Sequence, residues 1–207
     1  MRPKTLDERI VLGIDPGSRN TGIAVVKQTG STFEVVYLNV LHTITQENHA
    51  ERIAEIYATI VAVIGQWKPE SCAIETPVYG KDPLALLKLG RAQAAAILAA
   101  SNSGLPVTEY YPKAVKKSIT GNGNASKEQV ARMINTVLKL NDVSYPKDAT
   151  DALSVAWCHL TRREDLVRAD KRDGQRAVPS SKPSKSRRAL KDPWAEYVKQ
   201  NPERVKS

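Results

Sequence analysis

Three strand-like runs in immediate succession, at about 10–15, 22–27 and 33–40, precede a regular alternation of helical and strand-like segments, and this order allows few architectures. A helical pattern at about 48–67 is followed by a strand at 71–75, a helix at 83–102 and a strand at 106–111; a short helix at 112–118 and helices at 126–139 and 148–163 complete the series. Adjacent strands make an antiparallel meander and strands separated by helices are joined by parallel crossovers, so the pattern predicts an α/β fold with one mixed sheet flanked by helices. The first long helix is the best marked. Asn48 and Glu51 stand at capping-box spacing, Ile53, Ile56, Ile60 and Ile64 share a face, and Pro69 lies beyond its end. The helix at 83–102 is Ala-rich around Gly90, which suits close packing on the sheet or on a second subunit, as well as a plain core helix.

Two of the strand-like runs end on an acid. Val11-Leu-Gly-Ile-Asp15 turns sharply at Pro16-Gly17, and Cys72-Ala-Ile-Glu75 stops at Pro77. A third context, Asp148-Ala-Thr-Asp151, opens a helix whose apolar stripe is Leu153, Ala156, Trp157 and Leu160, and the i, i+3 spacing sets both acids on one face. Each acid has a plainer reading. Asp15 suits a turn, Asp148 suits a helix N-cap, and the dipole favours Asp151 in the first turn. Glu75 resists such a reading, because no basic residue follows it before Lys81 and strand ends are where open α/β sheets place functional groups. Brought together, the four carboxylates would raise one another's pKa, and a hard divalent cation such as Mg²⁺ removes that repulsion.

The remaining motifs are less specific. Ile119-Thr-Gly121-Asn-Gly123-Asn-Ala-Ser126-Lys127 is a Gly/Asn-rich loop that ends on a helix, with Ser126 and Gln129 at capping-box spacing and Lys116, Lys117 and Lys127 around it. Free backbone N–H groups at that helix start suit a phosphate, although the loop is not a Walker A sequence; a turn with solvated lysines is the competing reading. Tyr79, with Lys81 beside it in the loop after Glu75, is placed either to stack on an unpaired base or to pack on its own surface. His42, His49 and His159 share no ligand spacing and read as structural. The opening around Asp15 also resembles the first strand-turn-strand of sugar kinases and actin-like ATPases, but 207 residues leave hardly any room for their second phosphate loop and adenosine domain.

Charge is unevenly spread. Of a net +9, residues 161–207 contribute 14 basic against 7 acidic side chains, while residues 1–160 carry 17 against 15. The basicity therefore belongs mainly to a tail, whose Ser-, Pro- and Lys-rich composition from 165 predicts disorder, with a short helix expected at 190–198 around Trp194 and Tyr197. The expected division is one globular domain at 10–164 and a basic tail at 165–207. No run approaches the length of a membrane span and the N-terminus lacks a signal-peptide core, so a cytoplasmic protein with no membrane partner is expected. Cys72 and Cys158 read as reduced packing residues.

With these residues in view, the chain resembles the RuvC family of Holliday junction resolvases, within the RNase H-like superfamily. The likeness runs through Gly13-Ile-Asp15-Pro-Gly17-Ser-Arg-Asn-Thr-Gly22, Ala73-Ile-Glu75 and Leu86-Leu-Lys88-Leu-Gly90-Arg91-Ala-Gln93. It continues through Val115-Lys116, Gly121-Asn-Gly123 and Ala125-Ser-Lys127 to Asp148-Ala-Thr-Asp151-Ala-Leu. The resemblance implies a five-stranded mixed sheet, a homodimer, and paired symmetric nicks in four-way junction DNA during recombination and repair. It also implies a branch-migration motor of the RuvA–RuvB type as partner. By resemblance Asp15, Glu75, Asp148 and Asp151 are the catalytic, metal-binding acids, holding two Mg²⁺ with Mn²⁺ as substitute, and Lys116 and Lys127 lie near the DNA backbone. Lys117, Lys81, Arg91 and Tyr79 complete the expected DNA contacts. The family often has an aromatic three positions after the strand acid, where this chain has Val78 and places Tyr79 one later. In two-metal phosphodiester hydrolysis one ion lowers the pKa of the attacking water and the other stabilises the leaving 3′ oxygen, the ions being roughly 3.5–4 Å apart; Asp15 is the expected bridge. Alternatives are another RNase H-like nuclease, cutting RNA–DNA hybrids or flaps, and a junction-binding protein without catalysis.

Overall fold

In the computed structural model the described residues are 8–43, 48–78, 82–140 and 145–173, with side chains to 162. Strands β1 (Glu8–Asp15), β2 (Asn20–Thr29) and β3 (Thr32–His42) form the meander, and β4 (Ser71–Glu75) and β5 (Val107–Tyr110) join through helices α1 (His49–Trp67) and α2 (Pro83–Asn102). Helices α3 (Pro112–Thr120), α4 (Lys127–Val137) and α5 (Lys147–Asp173) follow. The sheet order is β3-β2-β1-β4-β5. The β1/β2 and β2/β3 pairs are antiparallel, whereas β1/β4 and β4/β5 are parallel, as the order of runs predicts. All three strands reach further than the apolar runs alone indicate, with β2 and β3 extending to a tight hairpin at Gly30, whose φ of 58° suits glycine.

Side-chain alternation divides the core in two. Leu12, Ile14, Ile23, Val25 and Ile74 face α1 and α2, while Val11, Ala24, Val26 and Ala73 face the layer of α3, α4 and α5. The expected stripe of α1 is realised, with Ile56, Ile60 and Ile64 buried and Ile53 packed against them. Asn48 caps the helix by accepting the Glu51 N–H at 2.9 Å. The alanines of α2, Ala92, Ala95, Ala96, Ala99 and Ala100, pack in the layer shared with α1. Gly90 plays no part in that close packing, since a Cβ there would meet nothing within 4 Å.

Three expectations need correction. Contrary to the reading that no run approaches a membrane span, α2 is long and apolar enough by length and composition; its alanine stripe packs in the core layer, and Lys88 and Arg91 interrupt it, so it is a core helix. Helix α5 continues to Asp173 rather than stopping at 163, because no Gly or Pro interrupts the chain before Gly174. The compact unit accordingly runs to Lys171, and the proposed helix at 190–198 lies outside the described residues. Finally, Asp148 is not an N-cap: α5 begins at Lys147, which leaves Asp148 within the first turn.

Candidate functional site

The site forms where β1, β4 and α5 meet. Asp15 is the last residue of β1 and pairs with Gly22 of β2. Parallel pairing of Ile14 with Ile74 sets Glu75 beside it, one step along β4. Both acids share the strand face of Gly13 and Ala73, so both point toward the α5 layer.

What brings α5 close enough is a pair of glycines. A Cβ on Gly22 would overlap the Asp148 carbonyl oxygen, and one on Gly13 would overlap the Ala152 carbonyl oxygen and lie 2.7 Å from the Ala156 Cβ. Without side chains at these two positions, the first turns of α5 lie directly on β1 and β2. One carboxylate oxygen each from Asp15, Asp148 and Asp151 then falls within 4.8 Å of the others. Glu75 stands outside that tight trio but within its field.

The electrostatics record crowding. Desolvation, then the charge of Asp151, push the Asp15 carboxyl up to about 7, with Asp148 adding to the rise and Lys127 opposing it. Burial, followed by the charges of Asp15 and Asp151, raises Glu75 to about 8, against Lys127 and Lys116. Buried oxygens that resist ionisation in this way suit a divalent cation, since a hard cation takes oxygen ligands and reverses the sign of the local field. The donor set is all carboxylate and fits Mg²⁺ or Mn²⁺ better than the nitrogen and sulfur sites of zinc.

Lys127 is the nearest cation among the described residues. Its Nζ donates to Asp151 Oδ2 at 2.6 Å, and the hydrogen bond to that carboxylate raises the lysine pKa. A full capping box holds its backbone: the Gln129 N–H donates to Ser126 Oγ at 3.2 Å and the Ser126 N–H to Gln129 Oε1 at 2.8 Å. Lys116 Nζ donates to the Ala125 carbonyl at 2.8 Å, tying the loop to α3. Lys117 is exposed.

Part of the Gly/Asn-rich loop is paired within itself. The Asn122 N–H donates to Thr120 Oγ1 (3.1 Å), Asn124 N–H to Asn122 Oδ1 (3.0 Å) and Ala125 N–H to the Asn122 carbonyl (3.2 Å). These three amides are spent inside the loop, which leaves the ammonium groups around it and the first turn of α4 as what it offers a phosphate. Arg91 is likewise not gathered with the acids. It lies exposed on α2, across the sheet from α5, in a positive group whose charges, with Lys88 and Arg52, help desolvation lower the His49 pKa. Tyr79 and Lys81 lie outside the described residues. The other histidines behave structurally: His159 hydrogen-bonds the Tyr110 hydroxyl at 2.9 Å and His42 the Asn20 side chain at 3.0 Å. Both cysteines are free and buried, with the Cys72 thiol pushed up to about 12 by burial. The sequence reading passed over Tyr111 and Lys113, both exposed where β5 runs into α3.

A five-stranded mixed sheet with carboxylates clustered at adjacent strand ends and on a helix laid across them defines the RNase H-like class of metal-dependent nucleases. The family model described as "Crossover junction endodeoxyribonuclease RuvC" matches residues 11–159, and the chain belongs to that family. A relative of the same description from Salinibacter ruber is 41% identical over 196 residues, covering 95% of this chain and 98% of its own. Another from Porphyromonas gingivalis is 37% identical over 208 residues and covers both chains completely. Among solved structures, RuvC of T. thermophilus in complex with a Holliday junction substrate superposes with a TM-score of 0.71 at 32% identity, over 76% of this chain and 96% of that one.

Proposed function

We propose that this chain resolves four-way DNA junctions by paired symmetric nicks, with Asp15, Glu75, Asp148 and Asp151 as its catalytic, metal-holding acids. The observation that carries this reading is the convergence of three carboxylates within 4.8 Å beside a fourth. A binding module would gain nothing from such a set of negative charges facing phosphate. Two Mg²⁺ fit these acids, with Mn²⁺ as substitute; when bound, such ions lower the pKa of the attacking water and stabilise charge on the leaving 3′ oxygen. Asp15 sits centrally between Glu75 on one side and the α5 pair on the other. Its raised pKa is the cost of preorganising the site without a cation.

The lysines supply the phosphate contacts. Lys127, released from Asp151 when a cation takes its place, and Lys116 on the same rim hold the strand to be cut. Lys117 adds a phosphate contact, Arg91 serves a more distant segment of DNA, and Lys81 and Tyr79, a few residues past Glu75 in the chain, complete the set. The protein works as a homodimer, because a two-fold assembly sets two such sites on opposite strands of a nearly symmetric junction. Leu84, Leu87 and Leu98 of α2, 67%, 50% and 54% exposed, supply apolar area for such an interface. Chromosomal recombination and repair place the protein in the cytoplasm, working with a branch-migration motor of the RuvA–RuvB type.

The test is cleavage of a labelled mobile junction in Mg²⁺ beside a linear duplex, a flap and an RNA–DNA hybrid. Symmetric nicks in the junction alone, lost in Asp15→Asn while binding persists, are expected. Junction binding without nicks in Mg²⁺ or Mn²⁺, or preferential cutting of the hybrid, would overturn the assignment.

A further inference from the structure

A groove of ≈ 560 Å³ opens between the end of β4, the start of α3 and the loop before α4. Its lining combines apolar surface from Val78, Tyr111 and Pro112 with charge from Lys113 and Lys116, and Gly123 and Asn124 complete it. Tyr111 is 67% exposed and Val78 is 59% exposed. Isolated apolar exposure is ordinary, but these two side chains face the same groove, and the groove adjoins the acids. Tyr110 pairs with Glu75 in the sheet, and the Thr76 N–H donates to the Tyr110 carbonyl at 2.9 Å. Tyr111 therefore lies one residue beyond the strand partner of a candidate catalytic acid.

The platform is rigid at its base. Tyr111 is the N-cap of α3 in extended conformation (φ −72°, ψ 144°), and Pro112 fixes the backbone that follows. The opposite edge is set by Gly123, where a Cβ would lie 3.0 Å from the Lys113 carbonyl oxygen, so the loop packs directly on the first turn of α3. An aromatic face with few rotatable bonds, backed by a valine and flanked by ammonium groups, matches one chemistry well: a base against the ring and its phosphate on the lysines.

We propose that Tyr111, supported by Val78, stacks on an unpaired base beside the scissile phosphate, with Lys113 holding the phosphate of that nucleotide, and that this contact selects branched over linear DNA. The inference rests on the junction-cleaving reading above and adds the source of its selectivity. A continuous duplex keeps its base faces stacked and has none to offer the groove. The crossover of a four-way junction, where stacking is interrupted, gives one up at lower cost.

The experiment is single-turnover cleavage of a mobile junction by the full-length protein carrying Tyr111, Tyr111→Ala or Tyr111→Phe, with binding measured in Ca²⁺. The substrates are the intact junction and a series with one abasic residue at each nucleotide around the crossover. Tyr111→Ala is expected to lose roughly 5- to 150-fold in cleavage rate on the intact junction, the range for one lost base stack, and Tyr111→Phe to restore it. At one abasic position the Ala penalty should vanish, because the base the ring would hold is already gone. A penalty that persists at every abasic position is a structural effect and overturns the proposal, as does wild-type cleavage by Tyr111→Ala. Should Tyr111→Ala melt early, Tyr111→Gln carries the same cycle. Wild type inert on every junction would remove the functional reading and this proposal together, whereas active wild type with an indifferent Tyr111 removes the proposal alone.

Discussion

Asp15→Asn should make the metal-free protein more stable while ending its cleavage. Desolvation and the charge of Asp151 hold the Asp15 carboxyl at about 7 against an ordinary 3.8. Between about pH 4 and pH 7 the unfolded chain has released this proton while the folded chain still holds it. Unfolding then releases protons, so stability falls as pH rises through that window and levels off above it. The interval from 3.8 to about 7 corresponds to about 4 kcal/mol at alkaline pH. Glu75, raised to about 8 by burial and by Asp15 itself, keeps its proton more readily when Asp15 is charged, so the two penalties do not add and a gain of about 2–4 kcal/mol is expected. The assay is urea unfolding in EDTA at about pH 5 and about pH 8.5. On the same arithmetic the variant should lead by about 1.6 kcal/mol at the lower pH and by more at the higher. Mg²⁺ at a concentration about 100 times Kd should shrink the variant's lead by about 2.7 kcal/mol, since it adds that much to wild type and far less to the variant. Equal stability in EDTA at the higher pH would refute the reasoning that these acids are held against their own repulsion.

Three further outcomes follow from the same geometry. Gly22→Ala forces a methyl into the Asp148 carbonyl; it should destabilise by about 3 kcal/mol and, by displacing Asp148 and Asp151 from Asp15, cut single-turnover cleavage by roughly a hundredfold or more, whereas a native melting temperature with native activity would deny the close approach. Lys127→Ala removes the ammonium 2.6 Å from Asp151, so calorimetric titration without DNA should show tighter Ca²⁺ binding while cleavage falls; weaker Ca²⁺ binding would show that the lysine does not compete for the acids. Lys117→Ala should weaken junction affinity equally for all sequences and lower the slope of log K against log salt by about 0.9, the value for one phosphate contact, while an unchanged slope would place its ammonium away from the DNA.

Much of this was legible along the chain because it depends on short-range rules. Alternation in Val11-Leu12 and Ala24-Val25 assigns each side chain to a layer, so two cores are implied as soon as the runs are read as strands. The Ser126–Gln129 capping box and the Asn48 cap need only three-residue spacing and formed as expected. In the loop at 121–126 the polar residues were visible, but not that several would satisfy one another's backbone groups. Local pattern also hid the length of α5, since a polar stretch without breakers can continue a helix begun by an apolar stripe.

By itself, then, the sequence determined the strands, the helices, their order and the face each side chain takes, because these follow from periodicities of two and 3.6 residues and from residues a few positions apart. Distance between elements is another matter. That Gly13 and Gly22 are glycines was plain, yet their purpose appears only when α5 lies across them and sets Asp148 and Asp151 against Asp15. The tertiary structure alone decided that Glu75 stands outside the tight trio, that Lys127 rests on Asp151 and that Tyr111 faces a groove beside the acids. Each of these depends on segments far apart in the chain meeting within a few ångströms, and electrostatic fields and close contacts vary too steeply with such distances for spacing along the chain to set them.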